Sequence, residues 1–162
     1  MCEQTRFLNV DLDLSSREDL ASLAAALHPR LFVLHVGRIR RRYWARLELR
    51  AQPHSVDSAI RRLVRAIQSM PRRQQACWNR AITRDFNIGI QVGEEPRHGE
   101  FPLAPPTVQM VGAVRGRIVI TVYGAAVPKA EVPAMVLPNP RMQPTGRMGP
   151  GRRTGGTLRR RR

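Results

Sequence analysis

The stretch Phe7-Leu8-Asn9-Val10-Asp11-Leu12-Asp13-Leu14 alternates apolar and polar residues from Leu8 onward. Successive side chains of a strand point to opposite faces. Leu8, Val10, Leu12 and Leu14 therefore share one face, and Asn9, Asp11 and Asp13 share the other. A strand patterned this way is buried on one side only. It needs helices against its apolar face and leaves its polar face open.

The residues that follow supply such helices. Ser15-Ser16-Arg17-Glu18 fits a capping box, with Ser15 as the cap and Glu18 three residues on. The helix it would open places Leu20, Leu23, Ala24 and Leu27 on one stripe and stops before Pro29. Residues 31–36 read as a second, more uniformly apolar strand, and residues 37–41 as a turn. Residues 42–50 form a third strand, with Tyr43, Ala45, Leu47 and Leu49 opposite Trp44, Arg46, Glu48 and Arg50. The short glycine-containing connection makes these two strands a hairpin. Ser55 is the expected cap of the clearest helix, whose inward stripe runs from Val56 to Met70 before Pro71 ends it. A shorter helix over 72–81 would turn Ala76, Cys77 and Trp78 inward. Residues 85–92 alternate as a fourth strand. Pro105-Pro106 opens a helix through Val108, Val111 and Val114, and residues 117–123 are a fifth strand.

The order is β-α-β-β-α-(α)-β-α-β, and its first six elements match the split β-α-β arrangement called ferredoxin-like. The expected fold class is therefore α+β: a ferredoxin-like β-α-β-β-α-β sandwich with an appended α-β unit. The core domain spans residues 1–124. A proline-rich linker covers 125–138, and an Arg/Gly/Pro-rich tail covers 139–162. The tail, NPRMQPTGRMGPGRRTGGTLRRRR, has almost no large apolar residues and is expected to be disordered. It fits either a selected basic tail or translated GC-rich sequence beyond an ancestral stop codon.

Charge and composition bound the function. The net charge is +16, and all but one of the 28 basic residues are arginine, Lys129 being the exception. Eight arginines and no acid fall in residues 139–162, so half of the excess charge sits in the tail. No apolar run reaches the 18 residues of a membrane span. The opening residues, MCEQTRFLNVDLDL, lack the basic and apolar regions of a signal peptide, so the expected compartment is the cytoplasm. Cys2 and Cys77 form no metal-site spacing, and Cys77 is expected as a buried thiol.

Trp44 in the third strand, DFNIGIQ at 85–91 and LAPPTVQMVGAVRGRIVITVY at 103–123 resemble an uncharacterised family of short bacterial α/β proteins. It is catalogued as a domain of unknown function (four-two-seven-nine). The resemblance covers about residues 6–123. It implies the domain boundary and the fold, and it implies no activity.

No HExxH, GxSxG, P-loop or GxGxxG motif occurs, and His28, His35, His54 and His98 are scattered. No catalytic, metal or cofactor site is therefore assigned. The candidate binding face is the open side of the sheet: Asp11, Asp13, Trp44, Arg46, Glu48, Asn87, Gln91 and Tyr123, with Thr121 beside them. Asp11 and Asp13 would stand on one side, roughly 7 Å apart. Candidate phosphate contacts are Arg38, Arg40, Arg41 and Arg42 at the hairpin tip; Arg61, Arg62 and Arg65 form a further cluster. The leading expectation is a binding or protein-interaction domain without catalytic activity, its partner a protein or a second copy meeting an exposed strand edge. The alternatives are weak nonspecific nucleic-acid binding through arginines, and an enzyme using the open-face carboxylates. Trp44 is expected to act as a structural anchor, although the alternation sets it on the open face.

Deleting residues 139–162 should leave the melting temperature unchanged, because the apolar pattern is complete by Tyr123. The same deletion should remove most binding to bulk RNA. The log–log salt slope, read by titration at several ionic strengths, should become shallower by roughly 0.7–0.9 for every phosphate that the tail neutralises.

Overall fold

In the computed structural model of the protein, which describes residues 4–93 and 99–124, the first strand is the middle of the sheet. Strand β1 (Arg6–Ser16) pairs antiparallel with β3 (Arg42–Leu49) on one side and with β4 (Thr83–Gln91) on the other. Strand β2 (Leu31–Ile39) adds to β3 antiparallel, and β5 (Arg117–Tyr123) adds to β4 in parallel. The result is a mixed five-stranded sheet in the order β2-β3-β1-β4-β5. With helices α1 (Ala21–Leu27), α2 (Val56–Gln68), α3 (Arg72–Arg80) and α4 (Pro105–Ala113), the fold is α+β. The fifth strand makes this order differ from that of a four-stranded ferredoxin-like sheet.

The core follows from alternation. Val10, Leu12 and Leu14 of β1, Ala45 and Leu47 of β3, and Phe86 and Ile88 of β4 are buried on the helix-facing side. Against them lie Leu23 and Leu27 of α1 and the apolar face of α2, including Ile60, Leu63, Val64 and Ile67. Ser55 caps α2 as expected, accepting a hydrogen bond from the Ser58 amide at 3.3 Å.

Several expectations are corrected. Ser15 does not cap a helix. Both Ser15 and Ser16 are buried in β1, where Ser15 shares a 2.7 Å hydroxyl contact with Thr83. Strand pairing to β4 outcompetes the local cap, and α1 begins later, where the Asp19 carboxylate accepts the Ala21 amide. A register shift between Phe7 and Asn9 places Leu8 in a bulge, so Phe7 rather than Leu8 packs against the core. The expected turn over 37–41 shrinks to Arg40 and Arg41, because pairing runs on to Ile39 and Arg42. Arg40 takes a positive φ of 56°, a conformation usually left to glycine, while Gly37 lies within β2 opposite Trp44. The apolar run of β2 does not signify burial: as an edge strand it leaves Phe32, Leu34 and Val36 exposed. Ala76 and Val108 also face outward, since α3 and α4 touch the core through Cys77, Trp78, Thr107 and Val111.

The anchoring tryptophan is Trp78, not Trp44. Trp78 is 2 % exposed and its indole N–H donates to the Val114 carbonyl at 2.9 Å; Trp44 is 37 % exposed on the open face. Nearby, Arg84 of β4 donates through Nη1 to the carbonyls of Trp78, Asn79 and Ala81, and through Nε to that of Arg115. Burial lowers the pKa of this guanidinium, and the neighbouring Arg115 lowers it further. Gly116 packs its bare Cα against the ring of Phe86; a Cβ there would lie 2.4 Å from Phe86 Cε2. Among the described residues no helix is long and apolar enough to cross a membrane. The linker 125–138, the tail 139–162, Cys2 and His98 lie outside the described residues.

Trp78→Ala should destabilise the domain by about 3–5 kcal/mol, whereas Trp44→Ala should cost about 1 kcal/mol or less. Denaturant melts of both variants against the parent protein check the ranking.

Candidate binding face

Burying Val10, Leu12 and Leu14 forces Asn9, Asp11, Asp13 and Ser15 onto the opposite face of the central strand, where Asp11, Asp13 and Ser15 each have a neighbour on both sides. Asp13 stands between Arg46 of β3 and Asp85 of β4; Asp11 stands between Glu48 and Asn87. Four carboxylates thus meet in two adjacent rows. Like charges directly across a sheet are destabilising unless compensated, and two arginines compensate here.

Arg46 grips Asp13 with both arms of its guanidinium, Nε to Oδ1 at 2.6 Å and Nη2 to Oδ2 at 3.1 Å. Arg117 grips Asp85 likewise, at 2.9 and 2.7 Å. The Asn87 amide adds a 3.3 Å bond to Asp13 Oδ2, and its own carbonyl accepts from the Thr121 hydroxyl at 2.7 Å. Bidentate forks of this kind fix orientation as well as charge. Among the described residues, the Asp11 carboxylate receives only the Asn9 amide, at 2.8 Å. Gly89 makes that bond possible: it faces Asn9 across the strands, and a Cβ there would stand 2.6 Å from Asn9 Oδ1. Burial, with Asp13 and Glu48 close by, pushes the Asp11 carboxyl up to about 6 even though Arg46 pulls the other way.

The eight expected face residues do not form one site. Asp11, Asp13, Arg46, Glu48 and Asn87 come together in the middle. Trp44 lies opposite Ser15 at one end of β1, while Gln91 lies opposite Arg6 at the other. Nine residues of extended chain, about 30 Å, separate those ends. Gln91 directs its amide to the end of β5, donating to the Gly124 carbonyl at 2.8 Å, and Tyr123 is its neighbour there. Sequence reasoning missed Asp85, Arg117, His35 and Ile39. Alternation already set Asp85 outward, but its partner depends on the parallel register of β4 and β5. His35 reaches the face because β2 shifts register between Val33 and His35, a bulge that no residue pattern marked.

Around Trp44 the surface is concave. A cavity of about 350 Å³ is lined by Asp13, His35, Ile39, Trp44, Arg46 and Asp85. A larger hollow, about 770 Å³, also borders Trp44 and is lined by Ile39, Arg40, Arg41, Arg42 and Trp44. Arg38 is not part of it. It pairs with Tyr43 and lies over that ring at 5.8 Å, on the opposite face. Three of the four expected phosphate contacts therefore converge. His28 sits at the end of α1, where its carbonyl accepts from Arg50 Nη2 at 2.8 Å. Burial raises the pKa of the Cys77 thiol. No group of three or more histidine, cysteine or acidic side chains among the described residues could hold a metal ion.

No family model, curated protein or solved structure matches the chain.

An acid whose folded pKa is raised loses stability as pH climbs from its unfolded value towards the folded one. For Asp11 that window runs from 3.8 to about 6. The full difference corresponds to roughly 3 kcal/mol, and solvent screening at this half-exposed site reduces it to about 1 kcal/mol. Asp11→Asn should therefore raise stability by about 1 kcal/mol at neutral pH and leave it unchanged near pH 4. Urea melts at the two pH values measure the difference.

Proposed function

We propose that this protein is a small non-enzymatic binding domain, a ferredoxin-like β-α-β-β-α-β core with α4 and β5 appended, and that it pairs with a second copy of itself along the outer edge of β5. The ferredoxin-like assignment rests on the element order together with the order β2-β3-β1-β4 of the first four strands. Kinship with the family four-two-seven-nine and a cytoplasmic setting belong to the same proposal.

The observation that carries the pairing is the state of β5. Ile118 packs against the core, but Ile120 and Val122 on the same helix-facing side are 61 % and 60 % exposed. Tyr123 is exposed as well, and no charge falls between Ile118 and Tyr123. Among the described residues no strand covers the outer edge of β5, and such an edge offers backbone groups and apolar side chains together, with no bulge or inward charge to deter a partner. Two such edges meeting antiparallel about a two-fold axis would set the exposed Ile120 and Val122 of each copy against those of the other. Asp11 and Asp13 make a poor acid–base pair, because Arg46 and Asn87 occupy both oxygens of Asp13.

A second reading has its own support. Trp44 shares a hollow with Arg40, Arg41 and Arg42, and an exposed ring beside guanidinium groups is a stacking platform for single-stranded nucleic acid. Asp13 and Asp85 beside the same indole weaken it, since they repel phosphates.

Light scattering on the eluting protein should show a dimer that dissociates on dilution, and Ile120→Lys or Val122→Lys should yield monomer with an unchanged melting temperature. A parent protein that is monomeric at every concentration would refute the pairing. Co-eluting nucleic acid that disappears in Trp44→Ala would favour the second reading.

A further inference from the structure

We infer that the end of the domain where β3 leaves the sheet and α2 finishes holds a binding site for a small, multiply charged phosphate-bearing anion. A cavity of about 610 Å³ lies there, and four arginines line it: Arg30 just before β2, Arg50 just after β3, and Arg62 and Arg65 on α2. Leu49, Ala51 and Ala66 supply an apolar lining between them. No acid lines the cavity.

Among the described residues none of the four cations has an acidic partner. The ion pairs formed among the described residues use Arg46, Arg61, Arg80 and Arg117, and none uses these four. Like charges gathered around one partly apolar hollow repel each other, because low-dielectric walls strengthen the field between them. The negative end of the α2 dipole offsets about half a unit charge, far less than four. A phosphate-bearing anion would remove the repulsion and accept several charge-assisted hydrogen bonds at once. The apolar lining would suit the organic part of such a ligand.

Two of the arginines are held before any ligand arrives. The Arg30 guanidinium donates to the Ser69 hydroxyl, which in turn donates to the Ala66 carbonyl at 2.8 Å. Arg50 donates to the His28 carbonyl at 2.8 Å and stacks over the Phe32 ring at 4.5 Å. Each of these contacts uses only part of a five-donor fork, leaving donors for the anion. Arg62 and Arg65, three residues apart on α2, lie on one face of the helix and are exposed. This site is separate from the β5 edge and from the hollow beside Trp44, so it stands whether or not the protein dimerises.

The probe is inorganic triphosphate, titrated calorimetrically into the full-length protein at fixed ionic strength, with backbone amide shifts followed by NMR. Binding at one site per chain is expected, with the largest shifts at Arg50, Ala51, Ala66 and Ser69. Arg50→Gln and Arg62→Gln should each weaken it by about tenfold or more, and Arg50→Lys should weaken it too, since charge is kept but the fork is not. The paired Arg40→Gln and Arg41→Gln control at the hairpin tip should change nothing. Melting temperatures of the exposed Arg62→Gln variant should match the parent, separating loss of binding from loss of fold. Absence of binding, or binding that survives Arg50→Gln and Arg62→Gln, overturns the site. So does a twelve-nucleotide oligouridylate that binds through these arginines when triphosphate does not, which would make the surface a nucleic-acid contact.

Discussion

The period of two in β1 governs this molecule. Because β1 is central, it is paired along both edges, and its register is dictated by burial of Val10, Leu12 and Leu14. A slip of one residue would put three carboxylate or amide side chains into the core and three aliphatic ones into water. The same constraint crowds Asp11 and Asp13 between Glu48 and Asp85, since nothing on the neighbouring strands can move without breaking the ladder. The charged face is thus a by-product of the core. Arg46 and Arg117 are the local remedy, one from each side of the acidic rows.

What that remedy leaves over is uneven. Asp13 and Asp85 each have a fork of their own, and Asp11 has none. The face therefore combines two rigid ion pairs with one carboxylate whose charge is poorly supported. A rigid, self-satisfied patch offers little to a ligand that must displace its bonds. The arginines at the hairpin tip and between β3 and α2, which form no ion pair among the described residues, have more to gain from a partner. Charge that is already balanced belongs to the fold, and charge that is not balanced is available for binding.

The sequence shows the elements and hides their meeting places. Residues 9–14, 42–50 and 56–68 announce their faces through periodicity, because alternation and helical stripes are properties of single segments. The edges are different. Whether Phe32 and Leu34 are core or surface depends on β2 being outermost, a fact of topology and not of composition. Bulges at Leu8 and Leu34 reverse the facing of residues beyond them, and no local signal marks either. Of the candidate face, Asp11, Asp13, Arg46 and Glu48 were legible once strands one and three were set side by side. Gln91 and Tyr123 share the face but lie far along it from Trp44, a distance that alternation cannot express. The arginine-lined cavity draws on three separate stretches of chain, so its members were scattered among apparent surface charges.

The pin formed by Trp78 and Arg84 has a consequence for how the domain comes apart. Together the indole and the guanidinium bind the backbone at Val114 and Arg115, the junction through which α4 passes into β5. Arg84 also holds the last carbonyls of α3. The late α-β unit is therefore fastened to the middle of the chain by the buried indole and the half-buried guanidinium as well as by its ladder to β4. Peeling it away would leave the indole N–H and the Arg84 Nε without their acceptors, a penalty added to that of fraying an ordinary edge. Residues 105–123 should accordingly exchange their protected amide hydrogens in the same opening event as β4, as part of one cooperative unit and not as an independently detaching foldon.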